Sequence, residues 1–236
     1  MPGYTRRQLK EDKFAETAQG AAQWATGHRR FVIVAVGLIL VAVLATTGVI
    51  TWRNRQIEQA NMDLTAAMRT FGAQLRPPGT PAIPDALTFT SISERAKAAE
   101  KDFKTIADKY SLVPPGKIAR YLHGVTLMQA GDNAAAEQEL KTAANFRDQD
   151  VANLARMALA SMYRSSNRQS EAATLYKDVA QHPSSTVSKA SAQLELAGMY
   201  EKTDPQQATG IYQQLQKENP QSPAAQVAAQ KLAGAK

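Results

Sequence analysis

"MYRSSNRQSEAATLYKDVAQHP", Met162–Pro183, and "MYEKTDPQQATGIYQQLQKENP", Met199–Pro220, are two versions of one phrase set 37 residues apart. Each opens on Met-Tyr, carries alanine four positions before a tyrosine, and closes on proline. The small-then-bulky pair recurs as Ala99/Phe103, Ala136/Leu140, Ala172/Tyr176 and Ala208/Tyr212, stepping by 37, 36 and 36 residues. One helix earlier, Leu127, Tyr163 and Tyr200 form a second ladder with steps of 36 and 37. Between the ladders lie short turns, "AGDN" (130–133), "SSNR" (165–168) and "KTDP" (202–205), rich in residues that stop one helix and start another. The small residue lets the second helix of each pair approach the first, and the bulky one fills the space beside it. A single helix pair cannot bury its apolar face alone, so such units stack. The chain is predicted to be all-α, a solenoid of about four helix pairs.

Composition agrees. Aromatic residues make up 6% of the 236, and alanine, glutamine and leucine are the commonest residues after residue 53, a helix-forming vocabulary. The chain contains no cysteine, which removes disulfides, thiolate metal sites and thiol nucleophiles. The formal charge of +7 is spread out: residues 1–30 hold six Lys/Arg against three acids, and residues 53–236 hold 22 against 18. A nucleic-acid surface calls for a basic stripe with stacking aromatics, and none is present.

Phe31–Trp52, "FVIVAVGLILVAVLATTGVITW", is uncharged over 22 residues. As a helix it spans about 33 Å, enough for a hydrocarbon core of about 30 Å. Arg29 and Arg30 precede it, and Trp52, Arg53 and Arg55 follow as interfacial anchors would. A cleavable signal would have a shorter apolar core and a shorter front end. Residues 31–52 are therefore expected to be a retained membrane anchor, preceded by a short cytoplasmic segment (1–30) and followed by the repeat domain (53–236). The positive-inside bias puts the N-terminus in the cytoplasm and the repeats outside it. In the front segment Phe14, Ala18, Ala21 and Ala25 fall on one side at helical spacing, as in a helix lying on the membrane surface or in a solvated helix that serves only as a topogenic signal.

Two further segments stand out. A helix is expected from about Ile57 to Leu75, with its partner from about Ile92 to Tyr110. Between them "RPPGTPAIPDALTFTS" (76–91) carries four prolines and reads as an exposed loop inserted into the first pair. "SPAAQVAAQKLAG" (222–234) begins on serine and proline and ends near a glycine, as a capping helix for the last repeat would.

"GVTLMQAGDNAAAEQELKTAA" (124–144) resembles a tetratricopeptide repeat, with Gly124, Leu127, Gly131, Ala136, Leu140 and Ala143 at the consensus positions. Ala160, Tyr163, Ala172, Tyr176 and Pro183 match in the next unit, and Ala197, Tyr200, Ala208, Tyr212 and Pro220 in the last. The chain departs from that family in its longer period and in having Arg120 and Arg156 where a tryptophan is usual. As a whole, one short front segment, one anchor and degenerate repeats look like the single-span tetratricopeptide-like inner-membrane proteins typified by the ancillary subunit of the SecYEG translocon. A related repeat type occurs in a cell-division coordinator. The resemblance implies a periplasmic scaffold whose partners are translocon subunits, exported chains or periplasmic chaperones. The alternative is a cytoplasmic-facing scaffold for signalling or cell division.

No catalytic pattern emerges. His28, His123 and His182 fall in unrelated contexts, and neither a metal-binding spacing, a phosphate-binding glycine loop nor a nucleophile elbow is present. No enzymatic activity, cofactor, metal, nucleic acid or small-molecule substrate is expected. In a tetratricopeptide array the inner wall comes from the first helix of each pair. The resemblance places Tyr121, Val125 and Met128 there from one unit, Met157, Ser161 and Arg164 from the next, and Leu194 from the last. Methionine suits loose apolar recognition because its shape adapts cheaply; the alternative is that half of these residues are core between the repeats.

Overall fold

The computed structural model describes residues 24–77, 79–81, 86–218 and 220–234. The surface helix expected on Phe14, Ala18 and Ala21 lies outside them. The chain divides into two units, Met1–Arg55 and Gln56–Lys236.

Helix α1 (Arg29–Phe71, 43 residues) begins in the first unit at the arginine pair, carries the apolar stretch there, and ends in the second unit. Among the described residues it is the one helix long and apolar enough to cross a membrane, with a mean hydropathy of 2.7 and none of that stretch buried in protein. The hydroxyls of Thr46, Thr47 and Thr51 donate to the carbonyls of Ala42, Val43 and Thr47 at 2.7–2.8 Å. Each threonine thereby satisfies its own hydroxyl within the helix. Trp24 stacks on His28, with ring centroids 4.7 Å apart, next to the arginine pair.

The second unit consists of helices at the expected places. α1 ends at Phe71, four residues before the predicted stop, because Gly72 follows and the chain turns into a strand. β1 (Gln74–Leu75) pairs in parallel with β2 (Thr88–Phe89), in the register Gln74↔Thr88 and Leu75↔Phe89. The amide of Arg76 also donates to the Phe89 carbonyl at 2.8 Å. The proline-rich insertion is thus clipped at its base, a feature not anticipated from its composition. Then follow α2 (Ile92–Lys109), α3 (Pro114–Ala130), α4 (Asn133–Ala144), α5 (Gln149–Ser165), α6 (Gln169–Gln181), α7 (Lys189–Thr203), α8 (Pro205–Glu218) and α9 (Pro223–Gly234).

Local chemistry sets the boundaries. Ser91, Asp132, Asp148 and Ser188 cap α2, α4, α5 and α7 by accepting backbone N–H bonds from the first turn. Prolines open α3, α8 and α9, where a missing N–H costs nothing. α3 ends on Gly131 at φ 95°, a left-handed position that suits glycine. In the matching turn of the next unit, Asn167 takes φ 63°.

From α2 onward each helix packs on the next; α3 also lies against α5, and α9 against α7. All four small/bulky pairs are buried, from Ala99 and Phe103 at 0% exposure to Ala208 and Tyr212 at 3% and 4%. At Gly124 a Cβ would sit 2.8 Å from the Leu140 side chain, so glycine is what lets α3 approach α4. The apolar interior is divided. One cluster joins α1, α2 and α3 around Phe103 and Tyr110. The largest runs from α3 to α7 around Leu140, Leu159 and Tyr176. A third joins α7, α8 and α9 around Tyr212 and Leu215.

Tyr176 is 1% exposed and its hydroxyl has no hydrogen-bond partner. Burial pushes its phenol up to about 12. An unpaired buried hydroxyl is a cost, so Tyr176→Phe is expected to leave stability unchanged or raise it by about 1 kcal/mol. Urea denaturation followed by circular dichroism checks this, and a loss above that size would mean that the hydroxyl is bonded.

Candidate functional site

The first helices α3, α5 and α7 carry all seven residues assigned to the inner wall, and every one of them is half-buried. Tyr121, Val125 and Met128 of α3 and Met157 of α5 are brought together: they pack at the edge of the same central cluster, where α3 lies against α5. Burial pushes the Tyr121 phenol up from its ordinary value. These four residues are part core and part surface, an apolar strip whose outer faces remain open. Ser161 is half-buried on α5, one turn beyond Met157.

The other two residues stand apart. Arg164 donates from Nη1 to Glu195 Oε2 at 3.0 Å, which ties α5 to α7, so its charge is already answered within the chain. Leu194 belongs to the C-terminal cluster and is not part of the strip formed by α3 and α5.

Polar groups that hold the first helices in register were not singled out from sequence. Arg120, at the usual tryptophan position, donates to Glu139 Oε2 on α4 and to Asp108 Oδ1 on α2, both at 2.9 Å. Arg156, one unit on, bonds Asn153 Oδ1 at 2.9 Å and lies 3.4 Å from Asp178 Oδ2 on α6. Where the family stacks an aromatic ring, this chain bridges helices with a guanidinium. The substitution itself was the available signal. Beside this bridge His123 is 5% exposed, with Nδ1 3.7 Å from Glu139 Oε1, and burial holds its imidazole below the usual value. Among the described residues no group of three or more His, Asp or Glu side chains could hold a metal.

Glu137 is a second hub. It accepts from the Tyr163 hydroxyl at 2.8 Å and from Arg168 Nη1 at 2.8 Å, and it pairs with Lys141 at 2.7 Å. The Arg168 guanidinium in turn lies 3.8 Å over the Tyr163 ring. The hydrogen bonds from Arg168 and Lys141 hold the Glu137 carboxyl down at about 2. A carboxyl whose folded value is lowered adds stability above its unfolded value, and that stability is lost as pH falls toward the folded value. The acid limb between about pH 4.5 and pH 2 is therefore expected to flatten in Glu137→Gln, with a loss of about 1 kcal/mol at neutral pH. Denaturation midpoints across that range check it; an unchanged acid limb would show that Glu137 is free in solution.

The family profile described as "Tetratricopeptide repeat-like domain" matches residues 23–182, a range that includes both the apolar stretch of α1 and the strip on α3 and α5. No protein of curated function and no solved structure matches the chain. The profile covers more than half of the sequence, and the helix pairs stack as its repeats require. The chain belongs to the tetratricopeptide repeat-like domain family.

Proposed function

We propose that the chain is a membrane-anchored scaffold that binds other proteins along its first helices and serves protein export or periplasmic chaperone networks at the translocon. The observation that carries this reading is the strip of Tyr121, Val125, Met128 and Met157, apolar and half-open, on helices tied to their neighbours by ion pairs. A stacked helical array offers an extended surface with no reaction centre, and partly exposed methionines suit partners of varied sequence. We assign it no catalytic role.

The anchor is residues 31–52, in α1. Arg29 and Arg30 with the basic residues before them favour a cytoplasmic front end, which puts the repeats on the exported side. Translocon subunits, exported chains and periplasmic chaperones are the partners that this side offers.

Photocrosslinking residues placed at Met128 and Met157 in the full-length protein in cells test the reading. Recovery of translocon subunits, exported chains or periplasmic chaperones is the expected result. Recovery of cytoplasmic proteins alone would reverse the orientation and make the chain a cytoplasmic-facing scaffold for signalling or division.

A further inference from the structure

Arg120 sits between Asp108 on the preceding second helix and Glu139 on its own, and closes the gap between them with two ion pairs. The same three register positions recur 72 or 73 residues further along as Gln193, Gln181 and Ile211. Neither a cation nor an acid remains at any of them, so no ion pair closes the corresponding gap between α6 and α8. In its place is a cleft of about 270 Å³, floored by α7 and lined by Lys177, Gln181, Gln193, Leu196, Gln207 and Ile211 among others.

Three features of this cleft point to a ligand. Gln193 is 8% exposed, lines the floor, and its Oε1 has no hydrogen-bond partner. A buried carbonyl oxygen of this kind calls for a donor. At the rim, Lys177 has no carboxylate within ion-pair distance among the described residues; its Nζ lies 6.0 Å from the Tyr200 ring and is otherwise open to solvent. The other lysine of the cleft, Lys189, is neutralised by Glu218 at 2.8 Å, so the site presents one unanswered positive charge. Finally, Leu196 and Ile211 give the cleft an apolar side, while the amides of Gln181 and Gln207 offer both donors and acceptors.

We infer that this cleft receives an acidic side chain on an extended segment of a protein partner, with the partner's carboxylate at Lys177 and a backbone N–H donated to Gln193 Oε1. Charge complementarity selects the acid. The buried acceptor selects a peptide N–H beside it, and the glutamine amides suit the flanking backbone groups. The volume takes one side chain with its adjoining backbone. A neighbouring apolar residue of the partner lies on Leu196 and Ile211. The site is built by α6, α7 and α8 and shares no residue with the strip on α3 and α5. It can therefore hold while the wall reading fails, or fail while the wall reading holds.

The test uses the full-length chain in detergent micelles with its isoleucine methyl groups labelled, the Ile211 signal being assigned by its loss in Ile211→Val. Three probes are titrated: the capped peptide acetyl-alanyl-glutamyl-leucyl-amide, its glutaminyl counterpart, and free glutamate. The glutamyl peptide is expected to shift the Ile211 methyl saturably and to bind about tenfold more tightly than the glutaminyl one, as a charge-assisted contact does over a neutral one. Lys177→Ala should erase that difference, and Gln193→Met should weaken both peptides while leaving the helical circular dichroism signal unchanged. No shift of Ile211, equal binding of the two peptides, or a difference that survives in Lys177→Ala would overturn the proposal. So would free glutamate binding as tightly as the capped peptide, because the cleft would then be a small-molecule site.

Discussion

Gly116→Ala is expected to be among the most damaging single-methyl changes in the repeat domain. Gly116 is the third residue of α3, after the two prolines that open it. A Cβ built there would lie 1.9 Å from the Tyr110 carbonyl oxygen and 2.4 Å from its carbonyl carbon, both backbone atoms. No side-chain rotation relieves such a contact; the turn between α2 and α3 must open. Tyr110 is 2% exposed, and its hydroxyl donates to Asp63 at 2.8 Å, so moving its backbone pulls on the first cluster from two sides. Overpacking ordinarily costs about 1–3 kcal/mol, and a clash of backbone with backbone belongs at or beyond the top of that range. Gly210→Ala serves as the control. Gly210 is within α8 and faces open space, so alanine there should stabilise by about 0.5–1 kcal/mol through helix propensity. Urea denaturation of both variants in the full-length protein decides the matter. Equal midpoints would mean that α2 and α3 do not meet as described.

Phe103→Ala should cost about 3–5 kcal/mol, the range for emptying a buried aromatic site. Phe103 is fully buried, and its ring meets Phe71 edge-on with centroids 5.8 Å apart. Where that loss falls is as telling as its size. The cluster around Phe103 is drawn from α1, α2, α3 and the turn between α2 and α3. Hydrogen exchange in the variant should therefore rise across α2 and the start of α3, and should stay near the parent value in α8 and α9. Uniform acceleration throughout would show that the repeats unfold as a single unit.

The helical pairs were legible in sequence because burial there depends on residue size at a fixed spacing. Ala136/Leu140 and Ala172/Tyr176 announce themselves without any reference to partners. The turns were legible for the same local reason, since Gly131 and Asn167 answer to backbone angles. The ladder of β1 and β2 was not. Two-residue strands have no period to read, and what joins Gln74 to Thr88 is a backbone pairing across an insertion. The candidate strip was half legible. The family spacing put Tyr121, Val125, Met128 and Met157 on one strip, but it could not show that Arg164 spends its charge on Glu195. That pairing spans 31 residues and depends on how α5 lies beside α7. Glu137 and Gln193 were invisible for a related reason. Glu137 matters for the three groups it gathers, and Gln193 for the partner that it lacks.

The divided interior bears on how the array yields. The large central cluster and the C-terminal one meet through half-buried Tyr200 and Ile211, and the cluster around Phe103 shares no residue with either. Stability in such an array is a sum of local terms and their interfaces. Tension applied at the C-terminal end would be borne first by α8 and α9, which place no fully buried residue in the central cluster, and by their contacts with α7. The domain would come apart in sections, like a zip fastener opened from its free end, and the α6–α8 cleft would give way before the strip on α3 and α5. The end of such an array can open while its middle keeps its packing.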